Sequence, residues 1–240
     1  MKLTLSPTLL AFLFSIGLFL ACSTEEVEPE QIELGTDYFP VEIGKYWTYR
    51  VDTLEYTFAG NIERGFYFLK EKISDSLYRQ EGNMVYRIER FKTLDTNQSW
   101  ILDSVWSMRV DKEKILKTEN NRPLVRLRFP LREGLSWDIN QFNPLQDSNS
   151  INWAVVKEYG KPFTFKGQLY PSATILEKRD SNCVNNSAFL ETYLKGIGLA
   201  FKQKKLITYD LTVDSACSKP IRKIESGYDQ KYTLLQTGKE

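Results

Sequence analysis

Phe39-Pro40-Val41-Glu42-Ile43-Gly44-Lys45-Tyr46-Trp47 returns ninety residues later as Phe129-Pro130-Leu131-Arg132-Glu133-Gly134-Leu135-Ser136-Trp137. The shared frame is F-P-aliphatic-x-x-G-x-x-W. Pro fixes φ and starts a turn, and Gly takes the positive-φ position that ends it. Trp then opens the next strand as a large core anchor. Two copies fit either a duplicated half-domain or one turn type used twice. The flanking similarity is thin and a repeat array usually has three or more units, which favours the second.

Strand signals surround both copies. Gly65 to Lys72 holds Phe66, Tyr67, Phe68 and Leu69; Met84 to Phe91 alternates loosely, Val85, Arg87 and Glu89 against Tyr86, Ile88 and Arg90; and Trp100 to Val110 is aromatic and apolar, broken by Asp103 and Ser104. Leu124 to Phe129 alternates, with Val125, Leu127 and Phe129 on one side and Arg126 and Arg128 on the other. Residues 153–158, 162–166, 169–178, 191–209 and 228–236 continue the series, with turns at Glu81-Gly82-Asn83, Asn120-Asn121-Arg122-Pro123 and Lys166-Gly167-Gln168. Residues 180–188 are open to a short helix. The fold expected is mainly β, a single antiparallel domain over 37–240. It would be a curved sheet, an open barrel or a β-sandwich.

The first 22 residues speak to location. Lys2 precedes an apolar run from Leu9 to Leu20, then Ala21-Cys22, then Ser-Thr-Glu-Glu. A dozen apolar residues fall short of the ~20 that span a bilayer as a helix. Residues 1–21 therefore read as a lipoprotein signal peptide, with Cys22 the acylated (palmitate-bearing) mature N-terminus. Phe19 departs from the leucine usual three residues before such a cysteine. Residues 22–36 carry five Glu and no base, and read as an acidic tether. The anchor implies the outer membrane, with the cell surface and the inner face both open.

Composition excludes several classes. Removing residues 1–21 takes Lys2 and no acid, which leaves 31 basic against 31 acidic residues. No basic stripe invites nucleic acid. Histidine is absent. That removes Ser-His-Asp and Cys-His catalysis, His-containing zinc sites and the usual neutral-pH proton shuttle. With Cys22 acylated, Cys183 and Cys217 remain as an even pair in an exported chain, which reads as a disulfide. No metal site and no cofactor is expected.

Tyr38-Phe-Pro-Val-x-x-Gly-x-x-Trp-Thr-Tyr49 resembles the opening of a group of uncharacterised Bacteroidetes lipoproteins. Glu191-Thr-Tyr-Leu-Lys-Gly-Ile-Gly-Leu-Ala200 and Phe165-Lys-Gly-Gln-Leu-Tyr170 are similar to a strand and a hairpin of the same group. The resemblance covers about a quarter of the chain. It implies a lipid-tethered β domain and no catalytic residue.

The remaining candidates are few. Gly196-Ile197-Gly198 lacks the βαβ setting of a phosphate loop and reads as a bulge or a close backbone approach in a strand. Asp103, Asp111, Glu158, Glu177 and Glu191 lie in or beside strands and offer material for a carboxylate pair. Trp47 and Trp137 read as core. Trp100 and Trp106, evenly spaced on one strand, would share a face and make the best ligand-facing pair. The function expected is a non-enzymatic envelope lipoprotein that binds or scaffolds, with an envelope protein, a lipid or a glycan as partner. A half-barrel acyl-chain carrier and a glycan-binding module are the alternatives.

Overall fold

A computed structural model describes residues 33–58, 60–78, 84–144, 152–177, 184–210, 212 and 223–240. The expected signal peptide, Cys22, Cys183, Cys217 and the turn expected at 81–83 lie outside the described residues. The described residues begin at Glu33, inside the stretch read as tether. Leu34 C=O accepts from Leu131 N–H at 3.0 Å, and Thr36–Tyr38 form a 3-10 turn.

Twelve strands follow: β1 Lys45–Tyr56, β2 Ile62–Tyr78, β3 Met84–Thr93, β4 Ile101–Val110, β5 Lys114–Glu119, β6 Arg122–Arg128, β7 Ser136–Asp138, β8 Trp153–Phe165, β9 Gln168–Glu177, β10 Asn185–Leu194, β11 Gly198–Tyr209 and β12 Ile224–Lys239. All pairings are antiparallel. The sheet order is β6-β5-β4-β3-β2-β1-β12-β11-β10-β9-β8-β7, so each strand pairs with its chain neighbours except β6 with β7, which form the two edges, and β1 pairs with β12. The two edges then meet. Val125 N–H of β6 donates to Ile139 C=O just past β7 at 2.8 Å, and Trp137 Nε1 donates to Val125 C=O at 2.9 Å. The result is a nearly closed up-and-down barrel, the form that leaves least edge for unwanted pairing. Of the architectures open from the sequence, the sandwich is excluded.

Turn chemistry explains the connections. Asn120-Asn121 and Lys166-Gly167 all have positive φ, the conformation that two-residue hairpins need to match strand twist. Lys195-Gly196-Ile197 is a three-residue connection with positive φ at Gly196. The expected single strand over 191–209 is therefore split, and the expected Gly196–Gly198 bulge is a hairpin turn closed by Ile197 N–H to Leu194 C=O at 3.0 Å. Residues 185–188 belong to β10, which leaves no helix there among the described residues.

The two motif copies fold alike. Gly44 N–H donates to Ile73 C=O of β2, and Gly134 N–H to Val156 C=O of β8, at 2.8 and 2.9 Å. Glu42 C=O accepts from Lys45 N–H, and Arg132 C=O from Leu135 N–H. Both glycines have positive φ, and both tryptophans are buried. The copies open β1 and β7, six strands apart, at the same end of the barrel. The copies differ in one testable way. A Cβ on Gly44 would lie 2.2 Å from the Glu240 carbonyl oxygen, whereas one on Gly134 meets nothing within 4 Å. Gly134→Ala is expected to cost about 1 kcal/mol through its positive φ alone, and Gly44→Ala at least about 2 kcal/mol more. Urea unfolding of the two variants checks the order. Equal losses would show that the C-terminal residue yields freely.

The apolar core sits at this end. Tyr38, Trp47, Leu69, Ile73, Leu131, Trp137, Val156 and Leu194 are all 4% exposed or less. Phe39 stacks against Trp47 and Tyr193, with ring centroids 5.8 and 6.1 Å apart. Gly196 N–H donates to Asp37 C=O, which pins the N-terminal segment across the barrel mouth as a stopper. The outward positions of β1 and β2 include Arg50, Asp52, Lys70 and Lys72, so those strands present no continuous apolar band to a bilayer.

Candidate functional site: a charged cavity inside the barrel

Strand alternation turns every second side chain inward. In β2 the inward series is Tyr67, Leu69, Glu71, Ile73, which places a carboxylate in the phase of the core. Registered partners carry that phase round the sheet: Glu71 faces Arg90, Glu191 faces Lys202, and Lys202 faces Tyr232. Seven charged side chains meet inside. Arg90 Nε donates to Glu71 Oε1 and Lys117 Nζ to Glu71 Oε2, both at 2.9 Å. Arg126 donates two parallel bonds to Glu119 at 2.8 and 2.7 Å, the bidentate geometry that makes such pairs strong. Glu191 accepts Lys202 Nζ at 2.8 Å and Tyr193 OH at 2.7 Å, and its Oε1 lies 3.7 Å from Arg126 Nη1. Lys117 to Glu71 joins β5 to β2, and Arg126 to Glu191 joins β6 to β10. Neither strand pair is adjacent, so the network braces opposite walls.

Its protonation states are set by competition. Burial raises the Glu191 carboxyl, but Lys202 and Arg126 outweigh it and hold the pKa at about 2. Burial likewise opposes Glu71 and Glu119, and Lys117 with Arg90, and Arg126 with Lys202, push them below the ordinary value. The three carboxylates are ionised at neutral pH. Tyr49, Tyr67, Tyr193 and Tyr232 are pushed up, first by burial, and stay protonated donors.

Above the stopper the barrel encloses a cavity of about 270 Å³. Trp47, Tyr49 and Tyr193 line its closed end; Lys92, Asn120, Lys204 and Gln230 line the other. Side-chain exposure rises in that direction, from 11% at Glu71 to 41% at Lys92. Lys92 pairs with Asp103 at 2.7 Å.

The expected Trp100–Trp106 platform does not form. Arg90 pairs with Ser104 but Phe91 pairs with Leu102, so Asp103 is an extra residue and the faces swap across it. Trp106 turns inward, under the Arg90 guanidinium at 3.7 Å and Lys117 at 4.9 Å. Trp100 stands half-buried just before β4. Trp47 and Trp137 are core, as expected. Of the candidate acids with described side chains, Glu191 lines the cavity, and Asp111 is spent on the turn before β5, accepting from Glu113 and Lys114 N–H at 2.9 Å each. Among the described residues no group of His, Cys, Asp and Glu is placed to hold a metal ion.

Sequence reasoning missed Glu71, Arg90, Lys117, Glu119, Arg126, Lys202 and Lys204. A signal existed for some. Glu71 shares the phase of Leu69 and Ile73, Arg90 that of Ile88, and Lys117 that of Ile115. Arg126 had none. It alternates out of phase with Val125 and Leu127, and the irregularity where β6 pairs Ile115 and Leu116 of β5 buries all three.

No family model and no curated relative matches the chain. Among solved structures, a candidate lipoprotein from Parabacteroides distasonis ATCC 8503, determined at 2.70 Å, is similar over 84% of this chain and 98% of that chain. The identity is 10% and the TM-score 0.36. A likeness of that size leaves function to the residues themselves.

Proposed function

We propose that this protein is a lipid-anchored binding module of the cell envelope, held by Cys22 and receiving a small molecule in the barrel. The charged, aromatic-lined cavity carries the reading. A barrel that served only as a scaffold would be expected to fill its bore with apolar side chains, at less desolvation cost than seven buried charges. The cavity also separates the alternatives. An acyl chain wants an apolar bore, and this one is polar. A glycan platform wants aromatic rings in one row. Among the described residues the exposed aromatics are Phe58 and Phe66, on the β1–β2 hairpin, and Phe142 and Trp153, at the β7–β8 connection, two places far apart in the sheet. Acid catalysis wants a carboxyl raised toward neutral pH, and Glu71, Glu119 and Glu191 are all lowered. The reading is therefore non-enzymatic.

A staple between Cys183 and Cys217 suits this placement. The described residues beside those loops lie on adjacent strands, with Tyr209 N–H donating to Val184 C=O and Asp210 N–H to Lys223 C=O. Expressed in a Gram-negative host, the protein is expected in the membrane fraction, and Cys22→Ser in the soluble fraction. Intact mass reads both features together: added acyl chains on the wild type, and two hydrogens fewer than the dithiol. A wild-type protein that is soluble and carries no acyl mass would overturn the anchor. An undiminished thiol mass would overturn the staple.

A further inference from the structure

We infer that the cavity takes a small organic anion, its acid group (carboxylate or phosphate) seated beside Lys204 at the open end; this rests on the binding-module reading above.

Charge is the first argument. Arg90, Lys92, Lys117, Arg126, Lys202 and Lys204 line the cavity against Glu71, Glu119 and Glu191. Counting Asp103, the partner of Lys92, as a fourth acid still leaves an excess of two positive charges. The whole mature chain is balanced, so the excess is local to the bore.

Position is the second. Each of the other five cations has a carboxylate within 4.0 Å. Lys204 has none among the described residues. Aromatic rings flank it instead, with Phe189 and Tyr228 centroids at 5.6 and 5.3 Å. Its registered partners are Phe189 on β10 and Gln230 on β12, and Gln230 also lines the cavity. A half-buried ammonium without a counter-ion is an open place for one.

Donor supply is the third. The carboxylates are already occupied by the cations, while the Tyr67 and Tyr232 hydroxyls, protonated and bonded to each other, line the same space and keep one proton to donate. The surplus is of hydrogen-bond donors, which suits an oxyanion and not a cation.

Size bounds the ligand. At about 270 Å³ the cavity lies below the ~300–1,000 Å³ of pockets for drug-sized molecules. An acid of small-metabolite dimensions fits, and an oligosaccharide does not.

The test uses the full mature protein in detergent. Inorganic phosphate, phenyl phosphate, succinate and benzoate are each titrated at constant ionic strength, with tryptophan fluorescence and melting temperature as readouts. At least one is expected to bind saturably below about 10 mM. Lys204→Gln is expected to weaken it at least about tenfold while its own unliganded melting temperature stays near the wild type. Lys92→Gln, at the exposed rim, serves if Lys204→Gln does not fold. Preference for the phosphates over the carboxylates, or the reverse, identifies the acid group. No saturable response to any of the four, or equal affinity in the variants, overturns the anion assignment. Native mass spectrometry of the untreated protein separates the two levels. A retained neutral molecule keeps the binding module and overturns the anion. An empty cavity together with no anion binding overturns both.

Discussion

Glu191→Ala is expected to destabilise the barrel by about 3–5 kcal/mol, the cost of stranding buried charge when one partner of an ion pair is removed. Glu191 is 6% exposed and takes Lys202, Tyr193 and the nearby Arg126 on its two oxygens. Its removal leaves Lys202 buried without a carboxylate and deprives Arg126 of the charge that draws it across the bore. For a domain of this length, such a loss lowers the melting temperature by roughly 10 °C. Glu191→Gln keeps the shape and isolates the charge, and most of the loss should persist in it. Pairing Glu191→Met with Lys202→Met should recover part of it, since removing both charges of a buried pair costs less than removing one. Denaturant melts of the wild type, Glu191→Met, Lys202→Met and the double variant complete the cycle. A loss under about 1 kcal/mol for Glu191→Ala would mean that water already screens the site.

The second large effect is on acid stability. Glu71, Glu119 and Glu191 have folded pKa values below their ordinary value, so the unfolded chain binds protons that the folded one does not. Their contribution is complete above the unfolded value, near pH 4.5, and is lost as pH falls toward the folded values. Glu191, at about 2 against an ordinary 4.5, accounts for on the order of 3 kcal/mol. With no histidine in the chain, no imidazole adds a transition near pH 6. Stability should therefore be flat from about pH 5 to pH 8 and fall steeply between about pH 4.5 and 2. Urea midpoints across that range measure it. A stability curve that declines steadily from pH 7 would show that the three carboxylates are not held down by their cations.

Both effects arise from residues that strand phase half revealed. Alternation around Leu69 and Ile73 marks Glu71 as inward, and the same logic marks Arg90 and Lys117. What those phases do not show is company. Glu71 and Lys117 are 46 residues apart, Arg126 and Glu191 sixty-five, and only closure of the sheet brings them within bonding distance. Trp106 shows the opposite failure. Even spacing from Trp100 implied a shared face, and one extra residue at Asp103 reversed it. A bulge is a local choice between backbone pairings, and nothing in the side chains of Leu102 or Ser104 announces it.

The amino-acid sequence by itself determined the β class, the hairpin turns and the two Pro-Gly-Trp openings. It also determined the absence of histidine chemistry and, as an expectation, the anchor at Cys22. These depend on φ preferences, side-chain period and composition, all properties of neighbouring residues. Tertiary structure alone decided that the strands close into a barrel and that the two motif copies open strands at the same end of it. It alone decided that charges balanced along the chain are unbalanced inside the bore. Closure depends on the summed twist and stagger of twelve strands, and the cavity's charge depends on which bulges shift which side chains inward. Both are sums over the whole sheet, to which each local stretch contributes too little to be read alone.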